Sequence, residues 1–194
     1  MKNTLKIIPL LILTFSCRAQ TIDIQDYHPN YVEGAYYKDI NSIFNPFVGT
    51  YVLNSGSRMI KIEFRKIEGS DHLVYTQDAI AGEYQVTENN VEKINTIPRF
   101  LSNINNESYY SISGDHIITQ GSVGCDECIA GEKALRLQIG EFSTKNSGFM
   151  IVRRMVVNGQ QAIKVSLVWE ISYERTGYLP PSFPSGDYIL IKQP

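Results

Sequence analysis

The chain has 194 residues, 43% of them hydrophobic, and its 18 basic and 20 acidic side chains give a formal charge of −2 at pH 7. This length suits one domain with a full hydrophobic core. The slightly acidic balance provides no basic field for nucleic acid, so nucleic-acid binding is excluded from the predicted functions.

The first residues of the chain predict export. Lys2 and Lys6 give a positive start, and an almost unbroken apolar run follows from Ile7 to Phe15. Such a run is too short to span a bilayer as a mature helix, and small residues follow it at a cleavage point. The segment is therefore predicted to be a secretory signal peptide.

Two cleavage sites are compatible with this signal peptide. In the first, residues 14–17 form a loose bacterial lipobox, residues 1–16 are removed, and Cys17 carries lipid at the new N-terminus. Acyl chains would then hold the protein at a membrane, because each buried CH₂ contributes about 0.8 kcal/mol. In the second, residues 1–19 are removed and Gln20 becomes a free N-terminus. Because a serine and a cysteine directly follow the apolar run, the lipoprotein is favoured.

A tether and one short helix are predicted between the signal peptide and the first strand. Residues 17–34 are polar and have no clear period, which is typical of a tether. Asp39 then precedes apolar residues spaced as on one face of a helix. These are Ile40, Ile43, Phe44 and Phe47. The spacing predicts a short amphipathic helix with Asp39 near its N-cap and a break at Pro46.

From Val48 onward the sequence alternates with a period of two, as in antiparallel strands with one buried and one exposed face. The clearest run is Gln161–Tyr173, which places Trp169 on its apolar face. Asn158-Gly159 comes just before it and predicts a tight hairpin with the strand Phe149–Val157. Further strands are predicted at Arg58–Lys66, Leu73–Gln77, Glu83–Thr87, Tyr109–Ser113, Ile117–Gln120, Ala134–Phe142 and Tyr188–Lys192.

These elements predict an all-β, mainly antiparallel protein with one short N-terminal helix. Its strands, about 8–10 in number, would form a single curled sheet or a closed barrel. Closure would remove the exposed edges of the sheet. We expect residues 35–194 to form this one β-barrel-like domain.

Cys125 and Cys128 are the one motif-like feature of the domain. An exported chain meets oxidising conditions, so the pair is predicted to form a disulfide in a loop between two strands. A redox site with this spacing would begin a helix, and the acidic residues 126–127 oppose thiolate formation. A zinc site would need two further ligands. A free pair and a metal or redox site stay open as less favoured interpretations.

No recognisable catalytic or cofactor-binding motif accompanies this pair. His28, His72 and His116 are scattered, and the sequence has no nucleophile elbow, paired-His zinc motif or phosphate-binding loop. We therefore predict no cofactor, no catalytic residue and no enzymatic activity.

Arg153 is the one candidate ligand contact. Its strand is apolar on both faces, so the sequence leaves open whether Arg153 points into the barrel or outward. Inside, it would meet the anionic group of a carried ligand, whereas outside it would be a surface residue. The predicted inward residues are Ile, Leu, Phe, Trp and Val, which can fill a small barrel, so we expect a packed interior.

Residues 35–51 resemble the opening of an uncharacterised family of small exported proteins and lipoproteins of the Bacteroidetes. The shared pattern is Tyr-x-Lys-Asp, then Asn, then Phe-x-Gly-Thr-aromatic. The matching residues are Tyr37, Lys38, Asp39, Asn41, Phe47, Gly49, Thr50 and Tyr51. The ending, residues 186–193, is also similar. The resemblance implies an exported or lipid-anchored β-domain of unknown function and assigns no activity.

The segment Gly49-Thr50-Tyr51 is also similar to the Gly-x-Trp of the first lipocalin strand. Tyr51 stands in place of the Trp, and the Arg expected near the last strand to cover that ring is not evident. Lipocalin-like ligand binding is therefore an analogy of architecture.

The sequence thus predicts a cell-envelope protein, anchored at the outer membrane through Cys17, that acts by binding or as a structural lipoprotein without catalysis. Its partner would be an unknown protein. The alternatives are a lipocalin-like carrier of a small apolar ligand and an envelope hydrolase without a recognisable motif. The alternative to the anchor is a soluble periplasmic or secreted protein.

We expect Cys17 to carry lipid when the protein is made in its native host, because Ser16 and Cys17 directly follow the apolar run. Mass spectrometry of the N-terminal peptide should show a lipid-modified cysteine. The Cys17→Ser variant serves as the control and should lack the modification. Recovery of an unmodified chain that begins at Gln20 would contradict the prediction.

Overall fold

The computed structural model describes residues 20–26, 31–170 and 179–194. The predicted signal peptide and Cys17 lie outside the described residues, as do His28 and the end of the strand predicted to reach Tyr173. The strands are β1 Thr21–Asp23, β2 Tyr36–Lys38, β3 Gly49–Ser55, β4 Arg58–Asp71, β5 Thr76–Glu88, β6 Val91–Asn95, β7 Ile112–Ile118, β8 Ala134–Glu141, β9 Asn146–Val157, β10 Gln160–Glu170 and β11 Gly186–Lys192.

Eight of these strands close an antiparallel barrel. Their order around the barrel is β5-β4-β3-β11-β10-β9-β8-β7, and β7 pairs back with β5. This closing contact joins residues 80–82 of β5 to residues 112–114 of β7. The predicted all-β, antiparallel class is confirmed, and of the two predicted architectures the structure is the closed barrel.

β5 has 13 residues and pairs with three strands in turn along one edge. β2 pairs at Thr76 and Gln77, β7 pairs in the middle, and β6 pairs with residues 85–88. β1 and β2 run parallel to the beginning of β5. The described part of the predicted tether therefore includes a strand, because residues 21–23 pair with β2.

The predicted N-terminal helix is wrong. The carboxylate of Asp39 accepts hydrogen bonds from the backbone N–H groups of Ile43 and Phe44, at 2.7 and 3.0 Å, and closes an irregular turn. Only Asn45–Phe47 forms a single 3₁₀ turn. The helix-like spacing arises because Phe44 and Phe47 both enter the barrel core. Among the described residues, no helix is long and apolar enough to cross a membrane.

The strand predictions succeed where alternation is uninterrupted. The Asn158-Gly159 hairpin between β9 and β10 is confirmed. Elsewhere, two pairs of predicted short strands each overlap one longer strand, β5 or β7, and β6 was not predicted. Of these four, only Glu83–Thr87 lies wholly within its strand. In β5 the break falls at Gly82, where a Cβ would lie 2.8–2.9 Å from atoms of Phe64 and Ile112. Gly82 therefore does not end the strand. It allows the side chains of the neighbouring strands to approach the β5 backbone closely.

Side chains fill the interior of the barrel. One buried apolar cluster has members from all eight strands, including Tyr51, Ile60, Tyr84, Ile112, Leu135, Met150, Trp169 and Leu190. Trp169 is buried, as predicted, and its indole N–H donates to the carbonyl oxygen of Phe183 at 2.6 Å.

The two ends of the barrel are named after two buried phenylalanines. Phe47 precedes β3, and Phe183 precedes β11. Because β3 and β11 are antiparallel neighbours, these rings lie towards opposite ends, here called the Phe47 end and the Phe183 end.

A buried ion cluster lies at the Phe47 end. The Asp78 carboxylate accepts hydrogen bonds from the Tyr36 hydroxyl at 2.6 Å and from the N–H groups of Asp39 and Gly69 at 3.0 and 3.1 Å. The Lys66 Nζ atom lies 3.2 Å from Asp78 Oδ2 and 3.3 Å from Asp39 Oδ2. Burial raises the pKa of Asp78, but these hydrogen bonds and Lys66 outweigh it, so its pKa lies below its ordinary value. Despite its burial, Lys66 has a raised pKa because both carboxylates favour its charge.

We expect Lys66→Met to lower the free energy of unfolding by about 3–5 kcal/mol at neutral pH, because two buried carboxylates would lose their cation. Arg58→Met is the matched control. It removes an ion pair with Glu88 whose side chains are 36% and 35% exposed, so stability should change little. Urea denaturation of a chain beginning at Gln20 measures both.

The pH dependence follows from the same cluster. Since the folded pKa of Asp78 is lowered, its stabilisation is present above the unfolded value of about 3.9 and is lost as pH falls through the folded pKa. Protonation also relieves the repulsion in Lys66→Met. The stability difference between wild type and variant should therefore shrink towards about pH 4. An equal difference at neutral and acidic pH would contradict this electrostatic account.

Candidate functional site

A groove of about 840 Å³ runs along the outer wall of the barrel over β7 and β8. We call it the wall groove. Arg136 and Gln138 of β8 line it, and they alternate with core residues that point inward. Tyr75 and Gln77 line it from the β5 side, and Phe149 lines it from the β9 side. The groove is therefore separate from the packed interior.

A bulge in β7 shapes the floor of the wall groove. The pairing of β7 with β8 shifts register between Ser113 and His116. Gly114 sits there with a φ of 151°, where an added Cβ would lie 3.3 Å from Leu137. A bulge re-aims the side chains that follow it. Here it brings Asp115 and His116 into the lining of the groove.

Glu107 is the centre of a buried polar cluster at the β5 side of the groove. The Ser70 hydroxyl donates a short hydrogen bond to Glu107 Oε2, and the Gln77 amide donates to Oε1 at 3.5 Å. His72 Nε2 lies 3.1 Å from Oε1 but without the alignment of a hydrogen bond. Serine, histidine and glutamate are the residue types of a hydrolase triad. Here, however, the Ser70 hydroxyl donates its hydrogen bond to Glu107 and not to His72. Ser70 therefore lacks the hydrogen bond to histidine that activates the serine of such a triad.

Gln77 carries the most informative atom of the groove. The side chain is only 4% exposed, and its Oε1 atom has no hydrogen-bond partner among the described residues. The amide nitrogen faces the Glu107 carboxylate, which can only accept when ionised, so the oxygen is the free acceptor. A buried acceptor without a partner costs about 1–3 kcal/mol. Because the oxygen itself is buried, the side chain has to turn towards the groove before a hydrogen-bond donor on a ligand can remove that cost.

Aromatic rings stack beside this polar cluster. The Tyr75 ring lies between the Tyr31 ring, with centroids 3.9 Å apart, and the His72 ring, at 4.9 Å. Burial raises the pKa of Tyr75, and the Tyr31 hydroxyl and the charges of Asp115 and Glu107 add to this effect. Tyr75 therefore remains a neutral phenol at physiological pH. The stack presents flat apolar surface next to carboxyl groups, a combination found in ligand pockets.

Asp115 is the carboxyl group of the groove with raised proton affinity. Burial raises the pKa of Asp115, and the nearby charge of Glu107 raises it further, while His116 and His72 oppose the shift. Across residues 20–26, 31–170 and 179–194, no group of three or more His, Cys, Asp or Glu side chains is arranged to hold a metal ion. The groove thus holds three carboxyl groups, those of Glu107, Asp115 and Glu170, without a metal-binding arrangement of that kind among the described residues.

Arg153 lies on the outer face of the barrel. Its guanidinium donates to both carboxylate oxygens of Glu132 at 2.8 Å and to Glu127 Oε2 at 3.1 Å. Ile151, on the same face of β9, packs under the loop that carries the two cysteines. Of the two directions that the sequence left open, the structure has the outward one. Arg153 therefore does not face a ligand in the barrel interior, and its charge is already paired.

Cys125 and Cys128 lie in the loop between β7 and β8. Both are buried against Ala134 and Ile151 on the outer wall, and their Cα atoms are 5.1 Å apart with the sulfur atoms within disulfide distance. The Cys128 N–H donates to the carbonyl oxygen of Cys125 at 2.9 Å in a tight turn. The cysteines thus begin no helix, unlike those of a thioredoxin-type site. This geometry supports the predicted disulfide.

The sequence interpretation missed the groove. His72 and His116 were noted as scattered residues, yet both line it. Tyr31, Gln77 and Glu107 were not selected, because they come from segments that only the β2–β5 and β5–β7 pairings bring together. The single local signal was an acidic residue, Glu107, in the long connection before β7.

The chain matches the family model DUF6705, a family of unknown function, over residues 1–193, and it belongs to this family. The predicted membership of an uncharacterised family is thereby confirmed. No curated protein and no solved structure shows significant similarity to the chain. The family brings no assigned activity, so a functional assignment depends on the geometry described above.

We expect Cys125 and Cys128 to be oxidised to a disulfide. A chain beginning at Gln20 contains no other cysteine, so thiol titration after unfolding without reductant should find none free. The Cys125→Ser variant should expose the thiol of Cys128 and calibrates the assay. Because the closed loop is short, reduction should cost less than the roughly 3 kcal/mol of a 15-residue loop. Free thiols in the unreduced wild type would contradict the disulfide, and bound zinc would favour a metal site.

Proposed function

We propose that this member of DUF6705 is a lipid-anchored cell-envelope protein that binds a hydroxylated, sugar-like ligand in the wall groove and catalyses no reaction. The unpartnered, buried carbonyl oxygen of Gln77, a residue that lines the groove, carries this proposal. The signal peptide and the cysteine that follows it support the location.

The chemistry of the groove favours hydroxyl groups over other ligand groups. A hydroxyl both donates and accepts, so it can satisfy Gln77 Oε1 and also bond the side chains of Glu107 and Gln138. An apolar ligand would leave the Gln77 oxygen without a partner. A polyanion would meet the carboxyl groups of Glu107, Asp115 and Glu170, which line the same groove.

The size and surface of the groove support the same ligand class. A volume of about 840 Å³ falls within the usual range for small-molecule sites. Tyr31 and Phe149 supply ring surface on opposite sides, and the Arg136 guanidinium lies over the Phe149 ring at 4.7 Å. Sugar rings combine an apolar face with a rim of hydroxyls, which suits rings placed beside polar groups.

The packed interior supports a site on the wall over one inside the barrel. A lipocalin-like carrier needs an interior space for its apolar ligand. In this protein, the buried cluster formed by all eight barrel strands occupies that space. An eight-stranded barrel is only just wide enough for side chains to fill it, so a carrier would have to replace core residues with smaller ones.

We expect a chain beginning at Gln20 to bind neutral oligosaccharides in a calorimetric titration with a panel that includes N-acetylated sugars. Gln77→Met preserves the side-chain volume and removes the free acceptor, together with the amide N–H that donates to Glu107. It should weaken binding about 10- to 100-fold, the equivalent of a lost buried hydrogen bond. Gln85→Met, on the same strand but outside the groove lining, is the matched control and should bind like wild type.

Three outcomes would overturn the proposal. The first is that wild type binds none of the sugars in the panel, and the second is that Gln77→Met binds as tightly as wild type. The third outcome is turnover of a bound sugar that is lost in Asp115→Asn. That result would favour the envelope hydrolase, because Asp115 and Glu107 would then be an acid and base pair.

A further inference from the structure

The β4–β5 hairpin extends beyond β3 at the Phe47 end. β3 pairs with β4 only between Arg58 and Phe64. The pairing of β4 with β5 continues beyond this to Asp71 and Thr76. With a rise of about 3.3 Å per residue, the hairpin projects about 20 Å past the last β3 pair. Its turn is therefore the outermost part of this ribbon.

The turn of this hairpin carries two exposed aliphatic residues. Leu73 is 98% exposed and Val74 is 53% exposed. Asp71 Oδ1 accepts a hydrogen bond from the Leu73 N–H at 2.9 Å, and Leu73 has a φ of 68°. Turns favour Gly, Asn or Asp at such positions, and leucine is strained there. Folding alone does not account for leucine at this site, which points to a contact made by its side chain.

The N-terminal segments approach the same place. Because β1, β2 and β5 run parallel, the residues that precede each strand lie at one edge. The Gly34 N–H donates to the carbonyl oxygen of Val74 at 2.7 Å, and the Tyr36 N–H donates to that of Gln20 at 2.8 Å. Val32, which is 40% exposed, belongs to this edge. We call Val32, Leu73 and Val74 the apolar tip.

The predicted lipid anchor, Cys17, is close in sequence to Gln20, the first described residue on this edge. Cys17 precedes Gln20 by three residues, which span at most about 11 Å when fully extended. A lipid on Cys17 would thus bring the bilayer surface to the edge that carries Leu73 and Val74. Tyrosine is favoured at the membrane–water interface, and the stacked rings of Tyr31 and Tyr75 belong to the residues next in the chain to Val32 and Val74.

We propose that the apolar tip inserts into the bilayer next to the lipid anchor and fixes the orientation of the barrel on the membrane. This inference rests on the lipid anchor of the proposed function. Glu33 and Asp71 flank the tip, so the surface it fits is zwitterionic and not anionic. Because Tyr31, His72 and Tyr75 also line the wall groove, insertion would place one end of that groove near the membrane surface.

The test uses the lipid-modified protein in phosphatidylcholine vesicles that contain spin-labelled lipids. An environment-sensitive fluorophore is attached through Leu73→Cys. The matched control is Val91→Cys, which replaces another exposed aliphatic residue, just after the far end of β5. We expect the emission of the probe at position 73 to shift to the blue and to be quenched by the spin-labelled lipids. The probe at position 91 should show neither effect.

The outcomes separate the inference from its premise. Absence of quenching at position 73 in protein with a confirmed lipid on Cys17 would overturn membrane insertion and leave the anchor intact. Equal quenching at positions 73 and 91 would overturn the fixed orientation. A blue shift at position 73 that requires no vesicles would indicate a second copy of the chain on the tip and would also overturn it. An N-terminus without lipid would remove the premise itself, while sugar binding by the groove would remain testable separately.

Discussion

The carboxylate of Asp78 holds the Phe47 end of the barrel together. It binds the hydroxyl of Tyr36 on β2, the N–H of Asp39 after β2 and the N–H of Gly69 on β4. Asp39 in turn binds the N–H of Phe44, whose ring enters the core. One buried charge, balanced by Lys66, therefore fixes both the N-terminal strands and the segment that closes this end of the barrel. The positions of the wall groove and the apolar tip depend on it, because both include residues next to β2.

Strand β5 contributes side chains both to the barrel interior and to the wall groove. Successive side chains of a strand point to opposite faces, so Asp78 and Ile80 face inward whereas Gln77 faces outward. The edge of β5 that faces away from β4 pairs in turn with β2, β7 and β6. The change from β2 to β7 along this edge brings Glu107 and Asp115 next to Gln77. A shift of one residue in the register of β5 would exchange the ion cluster and the groove lining, so both depend on the same pairing.

The parts that could be predicted from sequence are those encoded by local periodicity. Alternation placed Trp169 in the core, and Asn158-Gly159 placed its hairpin, because each depends on neighbours in the chain. The helix prediction failed because Phe44 and Phe47 have helical spacing for a different reason, the closure of one barrel end. The groove could not be predicted, since periodicity gives the face of a residue and not its partner across the sheet. Lys66 was a usable signal: it shares the inward face of Ile62 and Phe64, and a cation there requires a buried carboxylate.

The packed barrel leaves the outer wall and the tip as the surfaces available for function. An eight-stranded barrel filled by Tyr84, Trp169 and their neighbours gains stability from that packing and has little room for a ligand. A protein that served only as a scaffold would not need the buried oxygen of Gln77, which has no partner among the described residues, although the amide nitrogen of the same side chain faces Glu107. It would likewise be less strained with glycine or asparagine in place of Leu73. Each feature costs stability in the isolated molecule, and a ligand in the groove and a bilayer at the tip would recover these two costs independently.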